Sequence, residues 1–469
     1  MKTGTYESGI SCHDPQVIEA DGKFYMTGSH MVLAESEDLV NWKMLHNGSN
    51  LFTNIFSGDL PAFAYVGKND QDGYSVWASN IFYSEETGEY RMYFCTTSTY
   101  IVSSLTLAVS DRPEGPYTYT DTFLCSGFKK KTVDRTNFYE IMGEDADLSP
   151  YLHLGGYDNT KWPNCIDPAV FRDADNRQWL VYGSWSGGIF LLELDPQTGL
   201  PIHPEADEEK NIDKYFGYHL IGGGHHPIEG PYIEYCPENG YYYLFVSYGE
   251  LRTEGGYQIR EFRSKSPTGP YLDPSGSSLG DEDAYFLKGL KVMGNYTLPS
   301  LDRTYMAPGG QSVLTSGGNF FVTYHQRFNE GTEYHEPRIH QLVMTEDDWL
   351  VAAPFETDGK GVEYVKNPAA VLSGEVYLLD HGLDVDNKVN EALPCVFADG
   401  QIYRTGTTVG SYENLPGTEG GLALTFDGQA FSCIVFSMVD EAGNDVVCIS
   451  GAGDNNHAIW GLMYPGQTD

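Results

Sequence analysis

Positive charge is scarce in this chain: 28 lysines and arginines stand against 66 aspartates and glutamates, a formal net charge of −38. Binding a phosphate backbone or an anionic bilayer needs clustered cations, so neither nucleic acid nor a membrane is expected as a partner. Polyanionic sugars are disfavoured for the same reason, and a neutral polymer fits better. No apolar run approaches the length of a membrane span. The eight cysteines, at 12, 95, 125, 165, 236, 395, 433 and 448, never take CxxC spacing, and most sit in apolar, strand-like runs. They read as buried thiols, with neither a zinc site nor a disulfide framework indicated. The N-terminus has one lysine followed by polar residues and no hydrophobic leader core. Two locations stay open on that basis: cytoplasmic as the sequence stands, or extracellular with a signal peptide removed.

What the chain has in quantity is tyrosine and glycine, 34 and 53 residues, within an aromatic content of 14%. That composition leans towards β structure and stacking surfaces. One phrase recurs five times: a β-rich run, a polar turn, and a second run closing on a small or hydroxyl residue. It is plainest from Asn164-Cys165-Ile166-Asp167-Pro168 through the turn at Asp173-Asn176 to Gly183-Ser184-Trp185. The other copies open at His13-Asp14-Pro15, Trp77-Ala78-Ser79-Asn80, Glu229-Gly230-Pro231 and Ala307-Pro308-Gly309. A second phrase follows several copies, as in Ser110-Asp111-Arg112-Pro113-Glu114-Gly115-Pro116-Tyr117 and Ser264-Lys265-Ser266-Pro267-Thr268-Gly269-Pro270-Tyr271, and reads as an outer hairpin. Five four-stranded units predict an all-β, five-bladed propeller over residues 1–356. A stack of hairpins in a sandwich is the plainer alternative, but it does not require one phrase to return five times.

Beyond a linker at Asp358-Gly359-Lys360-Gly361, short strand-like segments with glycine-rich turns predict a small β-sandwich or barrel over residues 357–469. Nothing in it looks catalytic. A polar insertion from about Gly127 to Trp162 reads equally as a lid or as surface decoration.

In a propeller the first strand of each blade lines the central channel, so the residues opening the repeats converge there. Asp14, Asp167 and Glu229 stand at those openings, in places read as equivalent. Each Asp-Pro taken singly is an ordinary turn. Three carboxylates in one pocket raise one another's pKa, which lets one stay protonated as an acid while another, ionised, activates water. That is the division of labour in glycoside hydrolysis. Trp77 and Trp185 flank the presumed channel and could stack on sugar faces or belong to the core. Asn164 and Ser184 could bind sugar hydroxyls or satisfy backbone instead. His325, closing the second run of the last copy, reads from its residues alone as a core histidine.

These phrases, with Gly183-Ser184-Trp185-Ser186-Gly187-Gly188, Met293-Gly294-Asn295-Tyr296 and His325-Gln326-Arg327-Phe328, resemble glycoside hydrolase family 43, most of all its endo-1,5-α-L-arabinanases with a C-terminal β domain. The resemblance implies Asp14 as general base, Asp167 as pKa modulator and Glu229 as general acid in an inverting hydrolysis of arabinan, a neutral plant cell wall polysaccharide, by a monomer. It also implies one calcium ion on the axis, held by His325 and mostly by waters. An exo-acting arabinanase or arabinofuranosidase, or a β-xylosidase of the same fold, is the nearest alternative; a silent sugar-binding propeller is the alternative from another class. Two departures bear on subsites: Trp-Ala-Pro-Asp of the arabinanases is here Trp77-Ala78-Ser79-Asn80, and Pro-Gly-His-Asn-Ser is here Pro308-Gly309-Gly310-Gln311-Ser312.

Overall fold

A computed structural model describes residues 1–280 and 284–466. Each sequence repeat folds as a sheet of antiparallel neighbours, to which the fifth blade adds one short parallel strand, Asn390–Glu391, from beyond the repeat. The first blade is Gln16–Ala20, Lys23–Gly28, Val32–Ser36 and Lys43–Asn47; the second is Ser75–Ser84, Glu89–Thr97, Ser103–Ser110 and Thr118–Cys125. The third starts at Ala169–Arg172 and Gln178–Tyr182, the fourth at Ile228–Cys236 and Tyr241–Tyr248, and the fifth at Tyr305–Ser316 and Asn319–Phe328. The inner strand of every blade touches the inner strand of the next, and the fifth returns to the first. That closure makes a ring of five sheets, which leaves no long sheet edge exposed.

The second repeated phrase is explained by its turn. Ser110 Oγ accepts the N–H of Arg112 at 3.2 Å, and Ser264 Oγ that of Ser266 at 3.1 Å. The tyrosine ending each phrase is buried, its hydroxyl donating to the carbonyl of Pro113 or Pro267. The insertion after the second blade is ordered by aromatic packing of Phe128, Tyr151 and Trp162 against Phe216, and of Phe138 against Tyr215, at the third blade's edge. All eight cysteines are free and buried.

For the C-terminal segment the sequence left sandwich and barrel open; the strand pairing closes it into a barrel. Eight strands from Gly374–Asp380 to Ala458–Met463 pair in succession, and the last returns to the first through Tyr377↔Leu462 and Leu379↔Trp460. The inward residues, among them Leu378, Phe397, Ile402 and Ile449, make its own core. Residues 467–469, expected in this module, lie outside the described ones. The barrel docks on the propeller: buried Trp460 and Ser450 both donate to the carbonyl of Ala352, at 2.8 and 2.6 Å. Among the described residues no helix is long and apolar enough to cross a membrane.

Candidate active site

Every blade opens with a kink. In the second, fourth and fifth blades the ladder between first and second strands skips two residues, after Trp77, Glu229 and Gly309. The first skipped residue is left-handed: Ala78 at φ 47, Gly230 at φ 59 and Gly310 at φ 59. Asp14, at φ 51, and Asp167, at φ 56, hold the same place in the other two blades. A non-glycine residue in this region is strained by about 1 kcal/mol, and such bulges re-aim side chains next to functional sites. Here every blade brings one such left-handed residue to the axis. The registers also correct one expectation: Asp14 and Asp167 are equivalent, but Glu229 precedes its bulge by one residue and matches Trp77 and His13 instead. Gly230 takes the left-handed turn in its blade, so the carboxylate comes from the paired strand, opposite Ser247.

These openings line a pocket of about 290 Å³ on the axis, walled by Asp14, Trp77, Asp167, Glu229, Tyr257 and Gly310 among others. Asp14 Oδ2 accepts from Ser29 Oγ at 2.6 Å and lies 2.7 Å from His13 Nδ1. Burial works to raise its pKa, but His13 and Ser29 together outweigh it and hold the carboxyl below its ordinary value. Asp167 goes the other way. Burial first, then the charges of Glu229 and Asp14, push it well up against one opposing N–H, from Gly230 at 3.1 Å. Glu229 is likewise raised, by burial and the charge of Asp14, while three donors partly offset this. They are Tyr257 OH at 2.7 Å on Oε1, and Trp185 Nε1 at 2.9 Å and Ser184 Oγ at 3.1 Å on Oε2. One pocket thus holds a carboxyl biased to ionise and two biased to stay protonated.

Of the residues named from the sequence, Trp77 lines the pocket, and Ser184 and Trp185 hold Glu229. Asn164 is buried away from the pocket lining, its Oδ1 accepting from Ser126 Oγ at 3.4 Å. Sequence reasoning missed His13, Ser29 and Tyr257. His13 and Ser29 lie inside quoted repeats, where the recurring ends of the inner strands could have marked them; Tyr257 follows a glycine-rich turn and carries no such signal.

His325 is fully buried, its ring stacked 4.0 Å from that of His13. Burial and the neighbouring His13, Arg327 and His335 keep it well below the usual histidine range, hence a neutral imidazole. Its Nδ1 lies 3.3 Å from the N–H of Asp14, and its Nε2 is buried without a partner. With Asp14 and His13 it is a group whose ligand atoms lie within 4.8 Å of one another. Calcium takes six to eight oxygens, so this donor set suits an ion that keeps most of its water rather than an all-protein cage.

A five-bladed propeller with such a carboxylate trio at its axis has the architecture of a glycoside hydrolase, and comparison with known proteins agrees. The family described as Glycosyl hydrolases family 43 matches residues 122–350. The extracellular endo-α-(1→5)-L-arabinanase of Thermotoga petrophila is 35% identical over 419 residues, covering 86% of this chain and 82% of its own. Extracellular endo-α-(1→5)-L-arabinanase 2 of Bacillus subtilis is 32% identical, covering 96% of this chain and 92% of its own. The crystal structure of the Thermotoga petrophila enzyme superposes with a TM-score of 0.83 at 31% identity, over 98% of this chain and 99% of that one. The chain belongs to glycoside hydrolase family 43 and is a glycoside hydrolase.

Proposed function

We propose that the protein is an inverting, endo-acting hydrolase of α-1,5-linked L-arabinan, working as a single chain outside the cell. The observation that carries the mechanism is the opposite bias of two carboxyls in one pocket, Asp14 towards ionisation and Glu229 towards protonation. Asp14 takes a proton from a water as that water attacks the anomeric carbon. Glu229 gives its proton to the glycosidic oxygen as the bond to it breaks. Asp167 and Glu229 repel each other when both are ionised, so the pair holds at least one proton in the pocket. Single displacement requires the two carboxyls to stand about 6.5–9.5 Å apart, with room for the water. Ser29 and His13 orient the base; Trp185, Ser184 and Tyr257 orient the acid.

Arabinan as substrate is supported by the two relatives named above, both called endo-arabinanases and both named extracellular. A calcium ion would take His325 as its protein ligand. Its positive charge near Asp14 would favour the ionised base.

The test is a time course of product sizes from linear arabinan, with the anomeric configuration of the first products read by NMR. A spread of oligomers that shortens with time, released with inverted configuration, is expected. Arabinose or one short product from the outset identifies an exo enzyme. No product moves the substrate to xylan, and none there leaves a sugar-binding propeller.

A further inference from the structure

Strand direction fixes which loops share the pocket mouth. Each inner strand starts at the mouth, so the second strand ends there, and the connection from second to third strand lies on that face in every blade. In the second blade this connection carries Tyr100, between Glu89–Thr97 and Ser103–Ser110; in the third it carries Trp185 and Ser186, between Gln178–Tyr182 and Ile189–Leu194. His225 lies on the segment leading to the start of Ile228–Cys236, at the same face.

These residues are joined. Tyr100 is 56% exposed, yet its hydroxyl is fixed: 2.6 Å from Ser186 Oγ and 3.0 and 3.2 Å from the two ring nitrogens of His225. The His225 ring meets Tyr100 edge-on at 5.6 Å and Trp185 at 5.6 Å. Trp185 in turn holds Glu229 through its indole N–H. An exposed aromatic ring tethered at its polar end is a stiff surface, and the faces of such rings are where the C–H faces of sugars pack.

Which sugar would pack there follows from the chemistry of the acid. Glu229 protonates the oxygen that leaves, so the leaving-group sugar lies on its side of the pocket. Outward from Glu229 on that side come Trp185, then His225 and Tyr100. We propose that Tyr100, fixed by Ser186 and His225 beside Trp185, is a platform for sugar units on the leaving-group side of the cleaved bond and sets where along a chain the enzyme cuts. This rests on the arabinanase reading of the same site. A tyrosine that merely staples one loop to the next would produce the same hydrogen bonds, and the test separates the two.

The experiment uses linear α-1,5-arabinohexaose labelled at its reducing end, with the full-length wild type, Tyr100→Ala and Tyr100→Phe, and thermal unfolding of each. Tyr100→Ala removes the ring; Tyr100→Phe keeps it and loses the tether. For Tyr100→Ala a fall in kcat/KM of about three- to tenfold is expected, the size of one lost ring contact. Fewer sugars then stay bound on the leaving-group side, so the labelled fragments become shorter; Tyr100→Phe lies between. Cleavage frequencies equal to wild type, with or without a change in unfolding temperature, overturn the platform and leave a staple. Longer labelled fragments overturn it too, because they put the ring on the other side. A wild type that leaves the hexaose intact sinks the arabinanase reading itself, before either variant is compared.

Discussion

Tyr257 donates its hydroxyl to Glu229 Oε1 at 2.7 Å from a fully buried position, its ring stacked 5.7 Å from that of His325. The bond favours the ionised form of Glu229, so it opposes the burial that keeps the acid protonated. Tyr257→Phe removes it with little change of volume. The pKa of Glu229 then rises, and because the acid works protonated, the alkaline limb of the kcat/KM profile moves up by about one pH unit, the equivalent of one hydrogen bond to a charge. A pH–rate profile of wild type and variant checks this. A limb that stays put or moves down removes Tyr257 from the control of the acid.

Glu229 and Asp14 differ in what they do to the leaving group, and substrates can report that. Glu229→Gln should lower kcat on arabinan by about 10²–10⁴-fold, the contribution of a general acid. An aryl arabinoside, whose leaving group needs no proton, should lose far less. Asp14→Asn removes activation of water and should slow both substrates alike. Comparing the two variants on the two substrates tests the assignment, and an exchange of their patterns would exchange the roles.

The return of one phrase five times made the ring of blades legible, because each copy carries its own turn and alternation. The Asp-Pro pairs at Asp14 and Asp167 marked two blade openings, each read singly as an ordinary turn, and the structure puts both aspartates in the left-handed region. The one-residue offset of Glu229 was not legible in the same way. Aligning Glu229-Gly230-Pro231 on its carboxylate hides that Gly230 holds the turn, and only pairing with Ser247 shows it. Asn164 looked like a ligand because it opens the same run as Asp167, yet its side chain turns to Ser126. Tyr257 is tied to Glu229 through tertiary packing alone, which no local pattern encodes. Barrel and sandwich share their strand pattern and differ only in whether the last strand, Ala458–Met463, returns to the first, Gly374–Asp380.

His325 is buried neutral with one ring nitrogen unpartnered, and Asp14 stands beside it. A calcium ion held there would bind the folded chain and not the unfolded one, so its removal would lower stability by mass action, about 2.7 kcal/mol relative to metal at a hundred times its dissociation constant. Unfolding curves with chelator and with added calcium are expected to separate in wild type and to coincide in His325→Ala. Coinciding curves in wild type would take the ion out of the site.

The ring of blades has a seam. The first and fifth blades are separate sheets, and no strand is shared across the gap between them. The N-terminal segment bridges that gap, and the barrel holds it there. In the turn after barrel strand Gln429–Val439, Glu441 accepts from the N–H of Tyr6 at 2.8 Å and from the hydroxyl of Tyr305, on the fifth blade, at 2.5 Å. Arg338, fully buried on the same blade, donates to the carbonyl of Tyr6 at 2.7 Å. Glu441→Ala leaves the buried Tyr305 hydroxyl without an acceptor, though it still accepts from Arg338 Nε at 3.2 Å, and the Tyr6 N–H without a partner, beside a buried guanidinium, for a loss of about 2–4 kcal/mol. Asn444, half-buried in the same turn, exchanges hydrogen bonds with the backbone of Lys2 and donates to Asp440, and Asn444→Ala should lose no more than about 1 kcal/mol. Thermal unfolding of the two variants, with protease cleavage of the first residues as a second readout, distinguishes a buried clasp from a surface contact. Equal and small effects would mean that packing of the inner strands alone closes the ring.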